Sequence, residues 1–220
     1  MERALTSPVA GESPASTRLE RALDALAVAG AAGTAHPSGT LLAHLRGTAE
    51  CLARWGAPEH LRLAGLYHSV YGTEAFRTTT IAPAERGRVR ARIGARAERL
   101  VHLYSTIARR TLYENLGRGA PYTVVDRGTG EAIALEGVEE LADLMTLDVA
   151  NRLEQLPRTS MSLRRMEHDR RIYERAIPLL PTAAVAEVRR TYRRHGRFAV
   201  LADGLVRRVA RRLRPGHHAR

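Results

Sequence analysis

Two histidines and one aspartate stand where helical spacing predicts apolar side chains. His44 lies near the edge of an apolar stripe. His68 shares a predicted helix face with Leu61, and Asp148 shares one with Leu144. Burying a carboxylate costs several kcal/mol, on the order of what a metal or a cationic partner must return. Two imidazoles with one carboxylate are a ligand set suited to manganese, iron or zinc, so the three residues together predict a divalent metal site.

A purely structural role is the alternative for each of these residues. A single histidine on an apolar face is more often a core group that hydrogen-bonds a backbone carbonyl. Asp148 could equally cap a neighbouring helix or pair with an arginine such as Arg152. The sequence leaves both interpretations open.

The elements that would position these residues are almost all helices. Ser38 is a plausible N-cap for the His44 helix, and Gly56 with Pro58 ends it. Two β-rich runs around DRGTGE predict a single hairpin over residues 121–135. The fold class is therefore all-α with one small hairpin. The predicted helices cover 18–32, 38–55, 58–70, 83–116 as one helix or two, 137–154, and three within 158–213.

Composition predicts one helical domain with two differing ends. Residues 1–17 are rich in Pro, Ser, Ala and Gly and are expected to be disordered. A helical domain is expected over 18–157, and a C-terminal helical extension with a basic tail over 158–220. We expect a cytoplasmic protein without a membrane span, because the single cysteine cannot form an internal disulfide and no secretory signal is recognisable.

Positive charge is concentrated at the C-terminal end. The chain has a net charge of +12, and residues 188–220 contain eleven arginines and one acid. Such an end can contact nucleic acid. However, every basic residue of the chain is arginine rather than lysine, and few aromatics are interleaved with them. Arginines on solvated helix faces therefore explain the charge better than a nucleic-acid interface.

The stretch HLRGTAECLARWGAPEHLRLAGLYHSVYGTEAF resembles the opening of HD-superfamily metal-dependent phosphohydrolases, and most of all the hydrolase domain of the stringent-response ppGpp enzymes. IGARAERLVHLYS and LADLMTLDVAN resemble later helices of that family, so the similarity covers roughly residues 36–155. Where the family has a His-Asp pair, this chain has His68 and Ser69. The acidic pair that follows in the ppGpp hydrolases falls on Gly72 and Thr73, which makes ppGpp itself an unexpected substrate.

The resemblance implies specific roles. His44, His68 and Asp148 would be metal ligands, with Asp143 in place of Asp148 if the helix register differs. His36 precedes the His44 helix and could reach the same cavity as a further ligand. In a hydrolase of this kind Ser69 would orient a water, and Glu74 or His36 would handle protons. Arginines such as Arg77 would suit an anionic substrate.

Three functions follow from these expectations. The first is a metal-dependent hydrolase of a small phosphorylated or anionic metabolite. The second is an iron oxygenase of a small metabolite, because the same superfamily includes oxygenases related to myo-inositol oxygenase with a histidine-rich di-iron site. His36 and His102 could supply its extra ligands. The third is an HD fold without catalytic activity that serves as a binding or regulatory module, with the arginine-rich end contacting a partner.

Overall fold

Helices make up most of the chain in the computed structural model, which describes residues 14–159 and 162–193. The predicted all-α class with a small hairpin is confirmed. The last described residues, 182–193, are also helical. The named helices are α1 Pro14–Val28, α2 Leu41–Arg54, α3 Glu59–Tyr67, α4 Arg86–Ile93, α5 Ala95–Thr106, α6 Arg109–Glu114, α7 Val138–Gln155 and α8 Leu163–Ala176, with short 3-10 turns at Pro83–Glu85 and Ile177–Leu179.

Two antiparallel hairpins accompany these helices. The predicted one is confirmed: β3 Thr123–Val125 pairs with β4 Ala132–Ala134. The other was not predicted and joins β1 Ala35–His36 to β2 Gly39–Thr40, directly before α2. With only two residues in each strand, this hairpin has no alternating pattern by which a sequence could reveal it.

The α2 helix forms because its leucines recur at helical spacing and face the core. Leu41, Leu45 and Leu52 are fully buried. The predicted N-cap at Ser38 is wrong: the helix starts at Leu41, and Thr40 caps it by accepting a hydrogen bond from the backbone of Ala43. The helix packs against α3 on one side and α7 on another, so α2 is the element that α3 and α7 share.

Gly65 lets α2 and α3 approach closely. A Cβ atom at this position would lie 2.5 Å from Cδ1 of Leu52 and 3.5 Å from Cα of Ala49. A larger residue would therefore push the helices apart. The close packing places His44 of α2 beside His68, which is the C-cap of α3 and not an interior residue of the predicted helix 58–70.

The predicted long helix over 83–116 is interrupted twice. Gly94 has a φ of 90° and separates α4 from α5, as glycine readily does. The chain is extended again at Ile107, which forms an isolated bridge with Asp126 of the second hairpin. Gly87, in contrast, lies inside α4 and does not interrupt it. The second break sets the start of α6 and with it the position of Arg109.

The chain ends lie partly outside the described residues. Residues 1–13, the predicted third C-terminal helix and most of the basic tail are not described, and α1 begins at Pro14. Pro178 follows α8 and precedes the helical residues 182–193. None of the described helices is both long and apolar enough to cross a bilayer.

Candidate functional site

All three polar residues singled out from helical spacing are buried. The exposed fractions are 1% for His44, 1% for His68 and 5% for Asp148. The burial predicted from their apolar faces is therefore observed. What differs among them is the set of atoms that each side chain contacts.

His44 is held by a carboxylate from α7. Its Nδ1 lies 2.5 Å from Oε2 of Glu154, which also pairs with Arg158. Because a carboxylate only accepts, Nδ1 of His44 carries the proton and Nε2 of the neutral ring has a free lone pair. Gly47 makes room for this contact: a Cβ there would lie 2.7 Å from Oε1 of Glu154. Neither Glu154 nor Gly47 was predicted, although Glu154 follows Leu147 at helical spacing on the face of α7.

His68 is oriented by the backbone of its own helix. Its Nδ1 lies 2.7 Å from the carbonyl oxygen of Gly65. A carbonyl accepts only, so this nitrogen also carries the proton and leaves Nε2 as the acceptor. A hydrogen bond to a backbone carbonyl is what a purely structural role for this histidine predicts. The same bond fixes the tautomer that metal-ligating histidines use.

The two imidazoles, which we call the histidine pair, meet through their free nitrogens. Nε2 of His44 and Nε2 of His68 are 3.1 Å apart. Burial lowers the pKa of His44 to about 4 and that of His68 well below its ordinary value, so both rings are neutral at pH 7. Two lone pairs then face each other across a gap that suits a shared cation. Ring nitrogens about 2.1 Å from one ion are separated by about 3.0 Å in octahedral geometry and by about 3.4 Å in tetrahedral geometry, so the observed distance is close to the octahedral value.

His36 belongs to the same cluster and contacts the face of the His44 ring. Its ring stacks on that of His44, with centroids 4.1 Å apart and an interplanar angle of 6°. Its Nδ1 and the hydroxyl of Ser38 are 2.9 Å apart. Burial, followed by the neighbouring His44, lowers the pKa of His36 to about 4. The unpredicted first hairpin is what carries His36 to this place.

Asp148 is surrounded by hydrogen-bond donors. Tyr104 donates to Oδ1 at 3.1 Å and Arg109 donates to the same oxygen at 2.7 Å. Tyr113 and Tyr173 donate to Oδ2 at 2.9 and 3.2 Å. The pairing arginine is thus Arg109 and not the suggested Arg152. Burial raises the pKa of Tyr113, and the carboxylate of Asp148 raises it further.

The structure does not bring Asp148 to the histidine pair. Within 14–159 and 162–193, no three residues among His, Cys, Asp and Glu are grouped so that they could hold one ion. Tyr104 contacts both centres: its ring meets that of His68 edge-on at 5.6 Å, and its hydroxyl bonds Asp148. The substitute carboxylate, Asp143, bonds His60 and Arg96 instead.

The remaining predicted residues are dispersed. Ser69 is buried, with 2% exposure, beside His68. Glu74 is exposed, and its Oε2 accepts a hydrogen bond from the backbone of Arg109. His102 is half-buried, and burial followed by the charge of Arg86 lowers its pKa. Cys51 is buried, and burial raises its thiol pKa to about 12, as expected of an inert thiol.

A wide cavity of about 770 Å³ opens beside Asp148 and was not predicted. Its inner wall includes Tyr104 and Asn151, and Asn151 donates a hydrogen bond to the hydroxyl of Tyr104. The arginine cavity, as we name it, is lined by Arg109, Arg110, Arg118, Arg152, Arg165 and Arg175. Arg77, the predicted substrate arginine, is exposed and does not line it. Because these six arginines come from distant segments, sequence spacing could not group them.

One comparison with known proteins covers part of this site. Residues 25–109 match the family model described as "Domain of unknown function (DUF6817)". The matched segment contains the histidine pair, His36, Ser69 and Glu74, and it ends at Arg109. It does not include Asp148 or Glu154. No curated protein and no solved structure matches the chain.

Proposed function

We propose that the chain is a metal-dependent hydrolase of a small phosphorylated or anionic metabolite, with the ion held by the histidine pair. The observation that supports this proposal is the 3.1 Å approach of two Nε2 atoms that both have free lone pairs. Without a cation between them, two acceptors face each other in a buried place, which is unfavourable.

The surroundings of the pair fit metal ligation. Ligating histidines donate their other ring N–H to a carboxylate or a backbone carbonyl, and here Glu154 and Gly65 accept these bonds. The carboxylate increases the basicity of the His44 ring and holds its orientation. His36, stacked on one face of that ring, limits its movement. Asp148 does not fit as a third ligand, because Arg109 and three tyrosine hydroxyls occupy it.

The other residues would serve the substrate. A bound divalent ion would lower the pKa of a coordinated water and so supply a nucleophile for ester hydrolysis. The arginine cavity would bind the anionic part of the substrate, and Tyr104 and Asn151 form the wall nearest the histidine pair. Glu74 lines this cavity and is exposed, so it can exchange protons with solvent.

A binding module without catalysis is the second candidate. Its supporting observation is the complete occupation of Asp148 by Arg109 and tyrosines, together with Ser69 in place of the family's aspartate. In this case the chain would bind an anionic ligand without reacting with it. The iron oxygenase stays a prediction. His102, its proposed extra ligand, has Arg86 and Glu98 as charged neighbours rather than the histidine pair.

Metal content and thermal stability test the proposal directly. We would purify the wild type, His44→Gln, His68→Gln and a control, His60→Gln, without added metal and titrate each with Mn²⁺, Fe²⁺ or Zn²⁺. His60 is a partly buried histidine that bonds Asp143 and lies outside the pair. We expect one of these ions to raise the melting temperature of the wild type and of the control, but of neither pair variant. Phosphate release from a panel of phosphate monoesters would follow for the loaded protein. No bound ion in the wild type would contradict the hydrolase and leave the binding module.

A further inference from the structure

The arginine cavity has more positive than negative groups on its wall. Six arginines face it, against the carboxylates of Glu74, Glu114 and Asp148. The arginines come from α6, α7 and α8 and from Arg118, which follows α6. Like charges brought together by separate elements repel one another, so such an arrangement is favourable only when anions compensate it.

Three of the arginines are already held in place by buried carboxylates. Arg109 is bound to Asp148, and its guanidinium lies 3.5 Å from the centre of the Tyr104 ring. Arg152 and Arg165 share the single carboxylate of Asp169 at 3.1 and 3.0 Å. Ion pairs of this kind hold the guanidinium groups in place without neutralising all of them, because two arginines share one acid.

Two arginines near the cavity mouth, Arg118 and Arg175, have no carboxylate partner among the described residues, whereas Arg110 pairs with Glu114. The guanidinium of Arg118 makes no ion pair or hydrogen bond with any residue of the described chain, and that of Arg175 bonds only the carbonyl of Leu116, at 2.7 Å. Further inside, the Nε–H of Arg109 is buried and lacks an acceptor among the same residues. Donors that remain without acceptors in a cavity are available to a ligand.

From this excess of donors we infer that the cavity binds a small organic phosphate, with the phosphate group against Arg118, Arg165 and Arg175. Planar guanidinium groups bind phosphate oxygens in pairs of parallel hydrogen bonds, which suits arginine better than lysine. The volume of about 770 Å³ is in the range of sites for metabolites. The inference rests on the proposed function only in taking this ligand as the substrate, since binding here requires no metal.

Calorimetric titration of the full chain would test this inference with glucose 6-phosphate, glucose, inorganic phosphate and pyrophosphate as probes. The double variant Arg118→Gln/Arg175→Gln removes the two arginines near the cavity mouth. The matched control Arg46→Gln/Arg77→Gln removes the same charge from exposed positions outside the cavity. Circular dichroism and the melting temperature would establish that both variants are folded.

We expect the phosphorylated sugar to bind and glucose not to bind. The cavity variant should weaken this binding at least tenfold, and the control less than twofold. Binding should also weaken as salt increases. Absence of binding by every phosphate, or equal losses in both variants, would overturn the inference. Metal uptake by the histidine pair with no phosphate binding would contradict this inference alone, whereas phosphate binding without metal would contradict only the hydrolase.

Discussion

The histidine pair and the Asp148 cluster both contact Tyr104, yet they differ in how completely their hydrogen bonds are made. A carboxylate can accept about four hydrogen bonds, and Asp148 receives them from three tyrosines and Arg109. In the histidine pair two acceptors face each other, and no donor among the described residues bonds either Nε2. A satisfied buried polar group stabilises one fold, whereas an incomplete one requires a cation or a ligand.

The largest expected effect on stability comes from the Asp148 cluster. Asp148→Ala would leave the guanidinium of Arg109 without its counter-charge in a mostly buried position. Breaking a buried ion pair in this way costs about 3–5 kcal/mol of the free energy of unfolding. Urea denaturation would measure it, with Asp24→Ala on the exposed face of α1 as the control, for which we expect a change below about 0.5 kcal/mol. A loss for Asp148→Ala as small as that expected of the control would show that the cluster is unimportant for stability.

The buried histidines should make the stability of the metal-free protein sensitive to acid. The folded chain keeps His36 and His44 neutral down to about pH 4, whereas the unfolded chain protonates them near pH 6.5. The unfolded state therefore binds more protons between these values, and stability falls as the pH falls from 6.5 to 4. The slope approaches about 1.4 kcal/mol per pH unit for each proton.

Urea denaturation in the presence of a chelator, repeated across this pH range, would measure that slope. The double variant His44→Gln/His68→Gln should have a clearly smaller slope than the wild type, because it lacks His44 and also His68, whose pKa burial lowers in the same way. A wild type whose stability rises on acidification would contradict the neutral histidine pair.

The fit between Glu154 and α2 should be sensitive to a single methyl group. Gly47→Ala places a Cβ 2.7 Å from Oε1 of Glu154, so the carboxylate must move away from His44. We expect a loss of about 1–3 kcal/mol in stability, together with weaker metal uptake. Gly87→Ala is the matched control in α4, where a Cβ meets nothing within 4 Å, and it should be neutral or slightly stabilising. Equal effects at both positions would mean that the Glu154 contact is not required.

The smallest effect should come from removing a single hydrogen-bond donor from the Asp148 cluster. Tyr113→Phe removes one donor to Asp148, which keeps Arg109, Tyr104 and Tyr173. We expect a loss of about 1 kcal/mol or less in the free energy of unfolding, measured with the same urea titration. A loss as large as that of Asp148→Ala would show that the four bonds act as one unit.

Local patterns in the chain were sufficient for the helices and for burial. The leucine spacing of α2 and the range of α7 were predicted closely, and His44, His68 and Asp148 were identified as buried because each interrupts an apolar face. The sequence was less informative about where the chain leaves the helix on either side of α5. Ile107 leaves the helix because it pairs with Asp126 of a hairpin, and that pairing depends on a distant segment.

The chemistry of the site depends on partners that are far apart along the chain. Glu154 is 110 residues from His44, and Arg109 is 39 residues from Asp148. Hydrophobic periodicity is a property of neighbouring residues, so it indicates which side chains are buried. It carries no information on which buried donor meets which acceptor. That pairing arises when the packing of α2 against α3 and α7 brings separate faces together, and it places Glu154 beside His44 and Arg109 beside Asp148.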